Sequence, residues 1–185
     1  MNSNYWFSIA ELTIKLIFKE DGLNNLSLLP SFSPFEIVEP SKEDNLFELT
    51  IDDKTAPIAK SERVRIKTID TGNGNIIVDQ TNDGRHQFII KDINGNSCCL
   101  LIANKEFSVC QCALNGNYDM RSFGLNNAIM IAFAFASCKY NTLLIHASLV
   151  RQNGYGYAFI AKSGTGKSTQ VSMWLKHLPN CDLMN

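Results

Sequence analysis

The chain reads as an α+β protein, in which a mostly antiparallel β-rich N-terminal domain precedes a buried helix, a β-hairpin, a glycine-rich loop and a second helix. Three observations carry that reading. Short runs of β-branched and aromatic residues, separated by Asn-Gly turns, fill the first 120 residues. A long apolar run, "NNAIMIAFAFASCKY", begins at Asn126. Two further β-type runs are then joined by only a few residues and lead into "AKSGTGKST".

Taken in order, the expected strands are Trp6–Phe18, Leu46–Ile51, Val64–Thr68, Ile76–Asp79, Gln87–Lys91, Ser97–Ala103 and Phe107–Cys112. The turns between them are marked by "DTGNGN" at Asp70–Asn75, "NDG" at Asn82–Gly84, and "NGN" at Asn94–Asn96 and again at Asn115–Asn117. Even spacing with such turns predicts an antiparallel meander. The proline-bearing piece Leu28–Asp44 is expected to be a long loop that packs through Phe32 and Phe35. The apolar run after Asn126 predicts a helix buried between layers, because it is apolar nearly all round. Residues 1–121 are accordingly assigned to the β-rich domain and 122–185 to a second one.

In the second domain "TLLIHASLV", Thr142–Val150, and "YAFIA" are separated by too few residues for a crossover, so they must pair antiparallel. The helix after the glycine-rich loop is supported by Val171, Trp174, Leu175 and Leu178, which form one apolar stripe, and by Pro179 as its stop.

Bulk properties exclude several classes. The 185 residues are 45% hydrophobic and 19% charged, with a net charge of -1, so nothing electrostatic favours nucleic acid or an anionic membrane. The longest uncharged run, Ser122 to Cys138, has a short apolar centre against the roughly 20 apolar residues a membrane span needs. The first residues lack the basic flank of a secretory signal. Six cysteines stand at 98, 99, 110, 112, 138 and 181. The vicinal pair and the C-x-C pair are not zinc spacings and lie in strand-like runs, which favours core packing, reduced thiols and the cytoplasm.

"AKSGTGKS", Ala161–Ser168, matches the phosphate-loop signature G-x-x-x-x-G-K-[ST] except that Ala161 replaces the first glycine. Gly164 and Gly166 let successive N–H groups converge on an anion, and the following helix offers its free N–H groups and dipole. Lys167 would reach the β- and γ-phosphates, Ser168 would place its hydroxyl on Mg²⁺, and Thr169 would contact a phosphate oxygen. The competing reading is a glycine-rich turn that caps a helix and binds nothing.

"SGTGKST", the hairpin before it and the apolar helix upstream resemble the HPr kinase/phosphorylase and phosphoenolpyruvate carboxykinase superfamily. "IHASLV", Ile145–Val150, is similar to a segment on the first hairpin strand of HPr kinases. The resemblance covers Leu125–Pro179 and implies a carboxykinase-like core, with ATP and Mg²⁺ held by Ser163, Gly164, Thr165, Gly166, Lys167, Ser168 and Thr169. It also implies that His146 sits near the γ-phosphate and shares the catalytic role with Lys167. The phosphate acceptor would be a protein serine or a small molecule. A module that binds nucleotide or phosphate without catalysis, with the β-rich domain holding a protein partner, is the alternative.

The superfamily follows this helix with a strand that presents aspartates to the metal and the acceptor. Here "NCDLMN" stands in that place, and Asp182 is a poor candidate for the task. The reading is therefore of a truncated member without turnover of its own, prone to self-association through an uncovered sheet. His86 and His177 match no motif and read as surface residues.

Overall fold

The computed structural model describes residues 2–19, 22–40, 44–162 and 164–184, and it has the α+β architecture expected. The chain divides into two compact units, Met1–Thr142 and Leu143–Asn185. The boundary expected at 121/122 thus falls later. The first helix packs on the sheet of the first unit and belongs to it.

The first unit contains nine strands among the described residues: β1 Asn2–Ile9, β2 Leu12–Lys19, β3 Glu36–Ile37, β4 Phe47–Ile51, β5 Arg63–Asp70, β6 Gly74–Thr81, β7 His86–Asp92, β8 Ser97–Ala103 and β9 Val109–Leu114. They form one sheet in the order β3-β1-β2-β4-β9-β8-β7-β6-β5. The run Trp6–Phe18, expected as a single strand, is a hairpin. Ala10 and Glu11 form its two-residue turn, with φ of 50° and 65°. No glycine or asparagine announces that turn, which is why the sequence reads through it.

From β5 to β9 the strands follow one another as an antiparallel meander. The expectation fails at β4, which pairs parallel with both β2 and β9. The segment between β2 and β4 is long enough to return the chain to the same end of the sheet, as a parallel pair requires. Within it, short 3-10 turns at Leu26–Leu28 and Pro30–Phe35 bring Phe32 edge-on against Phe7 at 5.6 Å. Phe35 meets Phe32 edge-on at 6.5 Å and stays exposed.

Strand alternation puts one apolar row after another on the same face. Phe18, Ile51, Cys112, Leu101 and Phe88 are successive cross-strand partners, and all are buried. Helix α1, Tyr118–Ser137, covers this face with Leu125, Ala128, Ile129, Ala132, Phe133 and Ala136. Asn117 caps its start by accepting the Met120 N–H at 3.0 Å. At Gly124 the helix lies so close to β8 that a Cβ would sit 2.8 Å from the Cys98 carbonyl oxygen. The helix is not enclosed on every side, however: Met130 and Phe135 are exposed.

The opposite face of the sheet holds a polar core. Asp79 is buried between Arg63, Arg65 and Gln87, and Gln87 accepts the Ile58 N–H at 2.8 Å. This fixes the connection between β4 and β5 to the sheet.

The second unit is a three-stranded antiparallel sheet, β10 Ser148–Gln152, β11 Tyr155–Phe159 and β12 Cys181–Leu183, in the order β11-β10-β12, with α2 Lys167–His177. The expected antiparallel hairpin is present, although its first strand begins at Ser148 and not at Thr142. Trp174 of α2 packs on Tyr157 at 5.0 Å and Phe159 at 5.4 Å, and Val171 is buried. The helix stops before Pro179, as expected, with the Leu178 N–H still bonded to Trp174 O.

Candidate functional site

β11 delivers the chain into the glycine-rich loop, and the loop opens directly into α2. Gly164 and Gly166 adopt φ of +80° and +91°. Nothing lies within 4 Å of where their Cβ atoms would be, so these positions need glycine for backbone conformation and not for lack of room. Gly166 is the residue that starts α2, and no side chain caps the helix there. The first helical bond runs from the Gln170 N–H to Gly166 O at 2.9 Å, so the N–H groups of the first turn precede the helical ladder and point out of its end.

Lys167 is the first residue of α2, yet its ammonium turns back into the loop. It donates to Ala161 O at 2.8 Å and Lys162 O at 3.2 Å. Thr165 also closes on Lys162, its hydroxyl donating to the carbonyl at 2.7 Å. The arrangement concentrates a cation and helix-end N–H groups at one exposed place, which is the chemistry an anion needs. Ser168 and Thr169 are exposed in the first turn, and the Ser168 carbonyl accepts the Ser172 hydroxyl at 2.9 Å. Ser163 lies outside the described residues.

His146 is not on a strand. It is exposed in the irregular segment before β10. Ser148 pairs with Phe159, so His146 comes at the end of the hairpin from which the loop departs.

Asp182 is the only aspartate or glutamate from 143 to 185. It stands directly opposite Arg151 on β10 and receives a two-pronged hydrogen bond, Nε to Oδ1 at 3.1 Å and Nη2 to Oδ2 at 2.6 Å. The guanidinium holds its carboxyl below the usual carboxylate range. Both side chains of this pair are exposed to solvent.

The cysteine pairs are core residues. Cys98, Cys99, Cys110 and Cys112 are buried in β8 and β9. Burial, reinforced by Cys112, pushes the Cys110 thiol up to about 12. The hydrogen bond with Cys99, together with burial, pushes Cys112 well above its ordinary value. A buried thiol held protonated in this way is a weak nucleophile. Among the described residues no three His, Cys, Asp or Glu side chains are grouped so as to hold a metal ion. No helix among them is long and apolar enough to cross a membrane.

Sequence reading missed two features. His177 is exposed as expected, but His86 is half-buried against Phe107 at 5.2 Å. A cleft of about 610 Å³ in the first unit, lined in part by Asp52, Lys54, Ile58, Arg85 and Gln111, shares no residue with the loop. Its walls come from four separate stretches of chain, so no local motif could have indicated it. Compared with protein-family models, characterised proteins and solved structures, the chain finds no match.

Proposed function

We propose that the second unit binds a nucleoside triphosphate, ATP, by its phosphates, as the nucleotide grip of an HPr kinase-like phosphotransferase. One observation carries this reading. Left-handed Gly164 and Gly166 deliver an uncapped helix N-terminus to the same place as the Lys167 ammonium. Phosphate oxygens would replace the Ala161 and Lys162 carbonyls as acceptors for Lys167, and first-turn N–H groups would bind the remaining oxygens.

Mg²⁺ fits this loop as a passenger of the nucleotide. Ser168 has an exposed hydroxyl in the right turn, and Mg²⁺ is commonly held by substrate phosphates with few protein ligands. Asp182 is a poor candidate for the metal carboxylate, because it stands on β12 paired with Arg151, and a metal would have to displace that guanidinium. Phosphoryl transfer relies on charge neutralisation and an acceptor base, and residues 143–185 offer no free carboxylate for either. For these residues the geometry favours binding without turnover, which is also the behaviour of a non-catalytic nucleotide module. Transfer to a protein serine or small molecule in the cytoplasm, with His146 assisting, would need carboxylates from elsewhere.

Calorimetric titration of Mg·ATP into the chain, with Lys167→Ala alongside, tests the reading. Saturable binding that weakens at least about tenfold in the variant is expected, since a charge-assisted phosphate contact is lost. No heat, together with no competition by pyrophosphate, would overturn it.

A further inference from the structure

His86 ends a stack of four rings that reaches α1. On β7 it faces the same side of the sheet as Phe88, with Gln80 of β6 and Ala103 of β8 as its cross-strand partners. Its ring lies 5.2 Å from Phe107 and 6.4 Å from Phe88. Phe107 stacks on Phe135 of α1 at 4.5 Å with the planes 13° apart, and Phe88 approaches Phe135 at 6.1 Å.

The imidazole Nδ1 is buried and has no hydrogen-bond partner among the described residues. A proton placed there would have to donate into an apolar wall, so the stack holds the ring in its neutral form. Burial accordingly lowers the His86 pKa from its ordinary value near 6.5. The surrounding elements offer nothing to offset this. The facing residues are Gln80 from β6, Val64 beyond it on β5, Ala103 from β8 and Phe135 from α1, all uncharged. Of the nearby charged groups, Arg85 is engaged by Asp83, Lys105 lies along Gly84, and Glu106 sits in the turn that carries Phe107.

The two ends of α1 therefore differ. The N-terminal end is tied by Arg121 to Asp53, a carboxyl held below the usual range, so mild acid leaves that tie intact. The C-terminal half packs on the sheet through Ala132, Phe133 and Ala136, and its outer edge rests on the His86 stack through Phe135.

We propose that His86 is an acid-released latch on the C-terminal half of α1: neutral, it completes the ring stack that holds Phe135, and protonated, it leaves the stack and loosens Ile131–Ser137. That is the helix end from which the chain passes to the second unit. The sign follows from the direction of the shift. A histidine whose folded pKa is lowered contributes stability above its unfolded pKa, near 6.5, and that stability is lost as pH falls through this value to the folded one.

Amide hydrogen exchange of the full chain at pH 7.5 and 5.5, corrected for intrinsic rates, tests it. Protection of 131–137 is expected to fall several-fold relative to 118–125 in the acid sample, the scale of a local opening and not of global unfolding. His86→Gln, which cannot take the proton, and His86→Phe, which refills the stack, should both abolish the difference. Equal pH dependence in all three proteins would overturn the latch. So would loss of protection along the whole helix together, or a gain in acid, the sign of an imidazolium held by the Phe107 ring. Should neither variant fold, an NMR titration of the unmodified chain still decides. His86 must titrate together with the Phe107 and Phe135 ring resonances, and its titration without their movement would overturn the proposal.

Discussion

Arg121 near the start of α1 donates from Nη1 to Asp53 Oδ2 at 2.8 Å, across 68 residues of sequence. The same nitrogen reaches Asn24 Oδ1 at 2.8 Å, and Nε donates to Gly116 O at 3.0 Å. Asp53 also accepts from Asn24 Nδ2 and the Leu114 N–H, both at 2.9 Å. One guanidinium thus joins the helix, the end of β9, the turn after β4 and the segment after β2.

Replacing Arg121 with Met should cost about 2 kcal/mol at neutral pH, because Asp53 loses its counter-charge in a partly buried setting. Burial alone would raise the Asp53 pKa, but the hydrogen bonds from Asn24, Leu114 and Arg121, with the arginine's charge, lower it below 3.8. A lowered carboxyl contributes stability above its unfolded pKa and loses it as pH falls through the folded value. Urea unfolding of both proteins at pH 7 and pH 3 checks this. The gap between them should narrow at pH 3, and an unchanged gap would remove the ion pair from the account.

Phe107 is buried with φ of +56°, a backbone region that costs a non-glycine residue about 1 kcal/mol. Its turn is held by Asn104, whose side chain accepts the Val109 N–H and donates to the Ser108 hydroxyl. Loss of the ring by Phe107→Ala should cost about 3–5 kcal/mol. Phe107→Gly loses the same ring but relieves the strain, so it should be the more stable of the two by about 1 kcal/mol. Thermal unfolding of the pair decides, and alanine the equal of glycine would mean the turn carries no strain.

The β1–β2 turn has the two positive φ values of a type I′ hairpin but neither of its preferred residues. Ala10→Asn combined with Glu11→Gly should raise stability by about 1 kcal/mol, most of it from the glycine position. Equilibrium denaturation measures it. A destabilised double variant would show that the alanine and glutamate side chains hold the turn in another way.

The shape of the glycine-rich loop was legible in the sequence, because a turn that opens a helix is local. Gly164, Gly166 and Lys167 need only their neighbours to adopt the turn and start the helix. The meander from β5 to β8 was legible for the same reason, since its Asn-Gly and Asp-Gly turns favour antiparallel pairing of adjacent strands, whereas the turn into β9 contains no glycine. Glycine-free Ala10–Glu11 concealed a hairpin. The parallel partners of β4 could not be read, because they depend on the return of distant segments and not on any signal inside "LFELTI".

The sequence by itself determined the strand faces, the turns with glycine, the buried cysteines and the glycine-rich loop that opens α2, all of which depend on period, local φ and side-chain polarity. Only the tertiary structure decided that α1 belongs to the first unit, that Arg121 meets Asp53, that Asp182 pairs with Arg151 and that His86 joins a ring stack. Each of these joins residues far apart in the chain. Burial and charge pairing depend on what the whole fold brings alongside a side chain, and no window of sequence contains that.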